Sequence, residues 1–402
     1  MVRPRPHFYT DRMWRPALAR AGLVAASFAF VFGLLEIGAR WMLPAPPIVT
    51  VERLAAPASD FPEQSWSVPF YPERSGLYLT TPTGLRLRPN THVRIEGHRL
   101  NQRTIELRTN SLGYRNPEIG PKQGRRILFL GDSITLGDYL HEEETFVRLV
   151  EREAAARNES WETVNAGVAG ISLADELAIL VETGLSIEPD VVVVGFYLND
   201  FEQSPGVHPP RLPRGLRASR VLALIAQRLG LFGRSEGGGS EPRRETVRAW
   251  RVQLERDWPA GEGDFRRDPE AFNALIQESA RDWGGAWTSA AWERFEPLLE
   301  ELRRLSDRHL FDLALVAFPV RQQVEAHYLY DHPQQRLRAV AARLEVPLLD
   351  LLPVLRSEWK DSGAPLFYDH CHHTPRGNRI IARTLDHFLA GLLAPGSHRA
   401  AR

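Results

Sequence analysis

The amino-acid sequence predicts an α/β fold, with a parallel sheet covered by helices on both faces, preceded by an N-terminal membrane helix and a small β segment. Three features carry that reading. Five apolar runs of strand length, beginning with RRILFLG at 125–131, alternate with helical stretches. Strands that alternate with helices imply a parallel sheet buried on both sides. An uncharged run from Ala21 to Leu35 follows a basic leader. Residues 76–118 alternate short apolar and polar positions, as in THVRIEG and RTIELRT, which suits antiparallel strands.

Composition narrows the class. At 402 residues, a prior of roughly 150 residues per domain allows two or three domains. The chain is 43% hydrophobic and 25% charged, which excludes a wholly disordered, collagen-like or multi-span membrane protein. Fifty basic residues cancel fifty acidic ones, so no global field draws the chain to nucleic acid. Lys122 and Lys360 are the only lysines, an arginine bias that carries no functional reading. Cys371 is the only cysteine. An intrachain disulfide and a Cys-based structural zinc site are therefore excluded.

The leader, residues 1–20, holds Arg3, Arg5, Arg12, Arg15 and Arg20 against Asp11. The uncharged run alone covers ~22 Å of a roughly 30 Å hydrocarbon layer. Extended through Glu36 and Arg40, which pair at i,i+4, to Trp41 as interface anchor, it becomes long enough to span. Residues 21–43 are read as a signal-anchor, with 1–20 cytoplasmic and the remainder periplasmic or extracellular. A cleaved signal peptide and a buried core helix are the alternatives. The long leader, the lack of an A-x-A site and the Pro44 context weigh against cleavage. Residues 44–75, rich in proline (PAPP, FPEQ, VPFYPE), read as an extended linker. NSLGYRN then ends the small β accessory segment 76–118.

The α/β domain is expected over 125–393, with strands at RRILFLG, ETVNAG, DVVVVGF, LFDLALVAF and VPLLDLL. Helices are expected at Phe146–Ala156, Trp292–Leu310, Gln335–Leu344 and Asn378–Leu393. A helix-rich insert, 201–290, separates the third and fourth strands and contains GGGS at 237–240.

The residues suited to chemistry gather at strand ends. Ser133, in GDSITLG, follows the first strand, where ligands bind in open α/β sheets. NAGVAG follows the second, and Gly170 there admits close approach of its N–H to an oxyanion; Gly167 competes for that role. GFYLND follows the third and places the Asn199 amide at the same edge. In YDHCHHTPRGN, Asp369 stands three residues before His372, a spacing that lets a carboxylate orient an imidazole whose other nitrogen faces a serine.

These four blocks, in this order, resemble the SGNH (GDSL-type) hydrolases, in the form of membrane-anchored bacterial envelope members. The resemblance covers roughly 125–393 and implies a flavodoxin-like three-layer α/β/α domain. It implies Ser133 as nucleophile, His372 as general base and Asp369 as its orienter. The oxyanion hole would be formed by the Ser133 N–H, Gly170 and Asn199. No cofactor and no metal are implied. The substrate would be an acyl ester, such as an O-acetyl group on an envelope glycan. One departure is visible: Tyr197 stands where the third block usually has glycine, two residues before the asparagine.

Thr135 breaks the G-x-S-x-G elbow of an α/β-hydrolase. DHCHH suggests metal ligation, but adjacent loop residues seldom all face one ion. Trp250, Trp258, Trp283, Trp287 and Trp292 suit core or lid packing better than a sugar-stacking wall. Residues 217–234 carry apolar Val221, Leu222, Leu224, Ile225, Leu229 and Phe232 with Arg217, Arg220 and Arg228, a lid helix or a basic amphipathic membrane helix. An envelope O-acetyltransferase using the same residues and a non-catalytic envelope scaffold are the rival functions.

Overall fold

The computed structural model describes residues 11–42, 48–54, 76–201, 219, 221–222, 225, 282–325 and 331–394. The GGGS loop, Trp250, Trp258 and most of 217–234 lie outside them. The chain divides into two units, residues 1–46 with 210–233, and residues 47–209 with 234–402.

In the first unit, helix α1 runs Asp11–Met42, and its Arg20–Met42 portion is long and apolar enough to cross a membrane. At 1.5 Å per residue, 23 residues reach about 35 Å, more than a hydrocarbon layer. Leu23, Phe28 and Trp41 stand exposed, as such a helix requires. Glu36 and Arg40 form the expected i,i+4 pair at 2.8 Å. Within the same unit, the Ser219 hydroxyl and the Val221 N–H donate to Glu36 at 2.8 and 3.1 Å.

In the second unit, strands β1 (Ile48–Arg53), β4 (Thr91–Glu96) and β5 (Ile105–Arg108) form an antiparallel sheet in the order β1-β4-β5. Strands β2 (Tyr78–Thr81) and β3 (Gly84–Leu87) form a hairpin. The linker reading of 44–75 fails over Ile48–Arg53, and 55–75 lie outside the described residues. IVTVER pairs along its whole length with β4, Ile48 opposite Glu96 and Arg53 opposite Thr91. Its β-branched residues suit a pleated surface, and the neighbouring prolines fall before the pairing begins.

The α/β layers follow. Strands β6 (Arg125–Gly131), β7 (Trp161–Asn165), β8 (Val191–Phe196), β9 (Asp312–Ala317) and β10 (Leu348–Asp350) are all parallel, in the order β10-β9-β8-β6-β7. Every residue of β8 is buried, as expected where helices cover a sheet. The flanking helices are α2 (Ser133–Leu136), α3 (Phe146–Ala156), α4 (Leu173–Ile179), α5 (Ser289–His309), α6 (Arg321–Glu325), α7 (His332–Arg343), α8 (Leu352–Ser362) and α9 (Pro375–Leu393). Helix α3 packs on β7 and against α9, while α5 packs on β9 and against α4. Trp283 and Trp292 are core residues, and Trp292 clusters with Phe196, Phe201 and Phe295.

This strand order is the flavodoxin-like one, and the chain reverses direction across the sheet beside β6. Gly131 of β6 pairs with Gly195 of β8, and Phe129 with Asn165 of β7. The residues after β6, β7 and β8 therefore emerge together at one sheet edge.

Candidate active site

Ser133 leaves β6 as the first residue of α2. The preceding Asp132 caps that helix by accepting from the Ile134 N–H at 2.8 Å. Asn165, ending β7, holds α2 from the side: its amide donates to the Thr135 carbonyl at 2.8 Å and its oxygen accepts from Gly167. Gly167 serves packing. A Cβ there would sit 2.4 Å from the Leu136 nitrogen. Gly170 is exposed and has φ +76°, a conformation that favours glycine.

The Asp369–His372 loop is closed by an antiparallel bridge between Phe367 and His373. It is ended by Thr374, which caps α9 ahead of Pro375. Asp369 Oδ1 accepts from the Cys371 and His372 N–H groups at 3.0 and 2.8 Å. Its Oδ2 lies 2.7 Å from His372 Nδ1. His372 Nε2 lies 2.9 Å from Ser133 Oγ. A carboxylate only accepts, so Nδ1 carries the proton and Nε2 is left to accept from the serine. Tyr139 backs the ring edge-on, with centroids 4.9 Å apart. Ser133 and His372 are 7% exposed each.

The charges suit proton transfer. Burial would lower the basicity of His372, but the adjacent Cys371 sulfur and the Asp369 carboxylate outweigh it and hold its pKa well above the usual histidine value. Burial would push Asp369 up, yet the charge and hydrogen bonds of His372, with His370 beyond, hold it far below the carboxylate range. An imidazole so placed can take the hydroxyl proton and keep it beside a negative partner.

The other residues of DHCHH diverge. His370 Nε2 pairs with Asp282 at 2.9 Å. His373 is buried between Phe367 and Phe318, and burial, then the charge of His372, lowers its pKa to about 3. Cys371 is buried with its sulfur 3.5 Å from His372 Nδ1. Asp369, Cys371 and His372 do bring one ligand atom each within 4.8 Å of one another, but His372 is already held between Asp369 and Ser133 by hydrogen bonds.

Asn199 follows β8 in a turn pinned by Asp200, whose Oδ2 accepts from the Tyr197 N–H at 2.8 Å. Asp200 and Glu176 are buried carboxyls. Burial raises both well above the carboxylate range, helped at Glu176 by the charges of Asp132 and Asp175 and at Asp200 by those of Glu176 and Asp132. Asn199 Nδ2 donates to Asp282 Oδ1 at 3.0 Å. Sequence reasoning passed over Asp282, Asp200, Glu176 and Arg115.

Arg115 is the structural centre of NSLGYRN. It is 1% exposed and donates to the carbonyls of Leu136, Gly137 and Leu140, the loop that follows Ser133. Asn116 completes the hold by bridging Thr163 and Asn165 of β7. Removing the guanidinium strands the Leu136 and Leu140 carbonyls at a cost of about 1–3 kcal/mol each, while the Gly137 carbonyl keeps the Leu140 N–H. Arg115→Ala is expected to lower the melting temperature by about 6–12 °C, the equivalent of about 3 kcal/mol in a domain of this size. A thermal shift under 2 °C would show that water replaces the guanidinium at no cost.

A carboxylate, an imidazole and a serine in line at the switch point of a doubly wound sheet are serine-hydrolase architecture. The chain belongs to the GDSL-like lipase/acylhydrolase family, whose sequence profile matches residues 129–380, more than half its length. It is thus an SGNH-type serine hydrolase acting on esters.

Solved structures similar to the chain include an acetyl xylan esterase, AlAXEase, at a TM-score of 0.38 and 15% identity, covering 65% of this chain and 97% of that one. A catalytic mutant of Axe2, an acetylxylan esterase from Geobacillus stearothermophilus, aligns at a TM-score of 0.37 and 16% identity over 67% and 96% of the two chains. TesA aligns at a TM-score of 0.37 and 15% identity over 67% and 100%. No curated protein matches the chain.

Proposed function

We propose that the protein is a serine esterase that cleaves short acyl esters, such as O-acetyl groups on an envelope glycan, through an acyl-enzyme. The observation that carries the reading is the unbroken line from Asp369 through His372 to Ser133, with contacts of 2.7 and 2.9 Å. Ser133 Oγ attacks the ester carbonyl as His372 Nε2 takes its proton, and Asp369 steadies the imidazolium. The tetrahedral oxyanion is received by the Ser133 N–H, the Gly170 N–H and the Asn199 amide. His372 returns the proton to the departing alcohol as the C–O bond breaks. Water then attacks the acyl-enzyme by the same route.

The domain works outside the cytoplasm, held by residues 21–43 as a signal-anchor behind the basic leader 1–20. The apolar length of α1 and the arginines before it support this. A periplasm-only reporter fused after residue 60 should be active and its cytoplasmic counterpart silent; the reverse pattern would invert the topology.

The chemical test is labelling of the full-length protein with a fluorophosphonate, followed by peptide mapping. Ser133 should carry the adduct, and a labelled peptide elsewhere would overturn the reading. Acetyl release from an acetylated glycan should proceed with water alone. Release that needs an acceptor glycan would make the protein an O-acetyltransferase.

A further inference from the structure

Asp282 comes from the stretch 201–290 that interrupts the hydrolase blocks, 83 residues from Asn199 in sequence. Its two oxygens are fully occupied. Oδ1 accepts from Asn199 Nδ2 at 3.0 Å, and Oδ2 accepts from the Tyr197 hydroxyl at 3.0 Å and meets His370 Nε2 at 2.9 Å. Tyr197 is fully buried, so its hydroxyl has a fixed place. Asn199 Oδ1 is buried and has no hydrogen-bond partner among the described residues.

A side-chain amide has two orientations that differ only in which end holds nitrogen, and its partners decide between them. Among the described residues the amide's partner is a carboxylate, which accepts and never donates. Asp282 therefore selects the orientation with nitrogen facing it. One N–H of Nδ2 is used in that bond, and the second stays available on the same planar group. We propose that Asp282 is a positioning residue of the oxyanion hole, fixing the Asn199 amide so that one N–H is held for the reacting oxygen. The inference rests on the reading of Asn199 as an oxyanion donor.

The pairing with His370 answers an electrostatic objection. A lone carboxylate beside an oxyanion donor would repel the charge that develops there. An imidazolium 2.9 Å away offsets that repulsion. Burial works against charge on both residues, but His370 holds Asp282 below the ordinary carboxylate value, and the Cys371 sulfur and then Asp282 hold His370 well above the histidine value. The tyrosine that stands where the third block usually has glycine also finds a use, since its hydroxyl tethers Asp282 from that strand end and glycine has no donor side chain.

The test is a double-mutant cycle on the full-length protein in detergent, with p-nitrophenyl acetate as substrate. Melting temperature is read on every sample, and active sites are titrated with a fluorophosphonate. Asp282→Ala should lower kcat per titrated site about 10- to 100-fold, the scale of a small misplacement, with KM within a few-fold. Asp282→Asn should lose less, because its amide oxygen can still accept from Asn199. On an Asn199→Ala background, Asp282→Ala should cost less than twofold, because the group it positions is gone. Equal losses on both backgrounds, or wild-type kcat in folded Asp282→Ala, would overturn the inference. If Asp282→Ala does not fold, Asp282→Asn closes the same cycle under the same criterion. A wild-type protein that neither labels nor turns over overturns the esterase reading and this inference together. An active wild type with additive losses removes the inference alone.

Discussion

Ser133→Ala is expected to abolish fluorophosphonate labelling and to lower ester kcat about 10⁶-fold, while the fold persists. The magnitude follows from losing the covalent route: removing the nucleophile in an enzyme of this type costs about as much as removing all of its partners. What remains is binding and oxyanion stabilisation, worth roughly 10³–10⁴ over water. Structurally the change is mild. Ser133 Oγ bonds to His372 at 2.9 Å, and losing one such bond costs about 1 kcal/mol. The start of α2 is capped by Asp132, not by Ser133, so the helix is undisturbed. Turnover in the purified variant within tenfold of wild type would rule out Ser133 as nucleophile.

Asp369→Asn should lower kcat about 10⁴-fold with the loop still closed, because it reverses a tautomer. In the native protein Asp369 accepts at Nδ1, so His372 presents a bare Nε2 to Ser133. An asparagine oxygen can still receive the Cys371 and His372 N–H groups at Oδ1. Its amide nitrogen then faces Nδ1 and drives the proton to Nε2, the wrong side for a base. The pH profile carries a second signature. The base works neutral, so kcat/KM falls as pH drops through the His372 pKa. That acid limb should lie above 6.5 in the wild type, because Cys371 and Asp369 raise the pKa against the effect of burial. Removing the Asp369 charge should move the limb down. A wild-type limb below 6.5, or one that stays in place in the variant, would contradict the His372 assignment.

Much of this arrangement is legible in the sequence because it is built from local signals. The five apolar runs mark the five parallel strands. The α3 boundaries, Phe146 and Ala156, are those its periodicity implies. Asp369 and His372 are three residues apart, and the loop does bring them into contact. The residues that escaped are those whose meaning depends on distant partners. Asp282 meets Asn199, Tyr197 and His370 across long sequence separations, and no spacing rule links an aspartate to partners so remote. Arg115 binds carbonyls, which every residue possesses, so its partners leave no trace in composition. Strand β1 sat among prolines, and its pairing with β4 depends on residues forty positions away. Gly167 and Gly170 look alike in sequence, and the nearness of α2 to Gly167 shows only in the fold.

The hold of NSLGYRN on the loop after Ser133 also bears on where this enzyme can be cut or transplanted. The family profile begins at residue 129, yet Arg115 and Asn116, upstream of it, satisfy backbone groups at Leu136, Gly137, Leu140, Thr163 and Asn165. A fragment begun at β6 would leave those groups stranded at the very edge where the chemistry occurs. The accessory segment is thus no detachable module. A chimera that grafts this catalytic core elsewhere must carry Arg115 and Asn116 with it, and the natural seam for such a graft lies before β1.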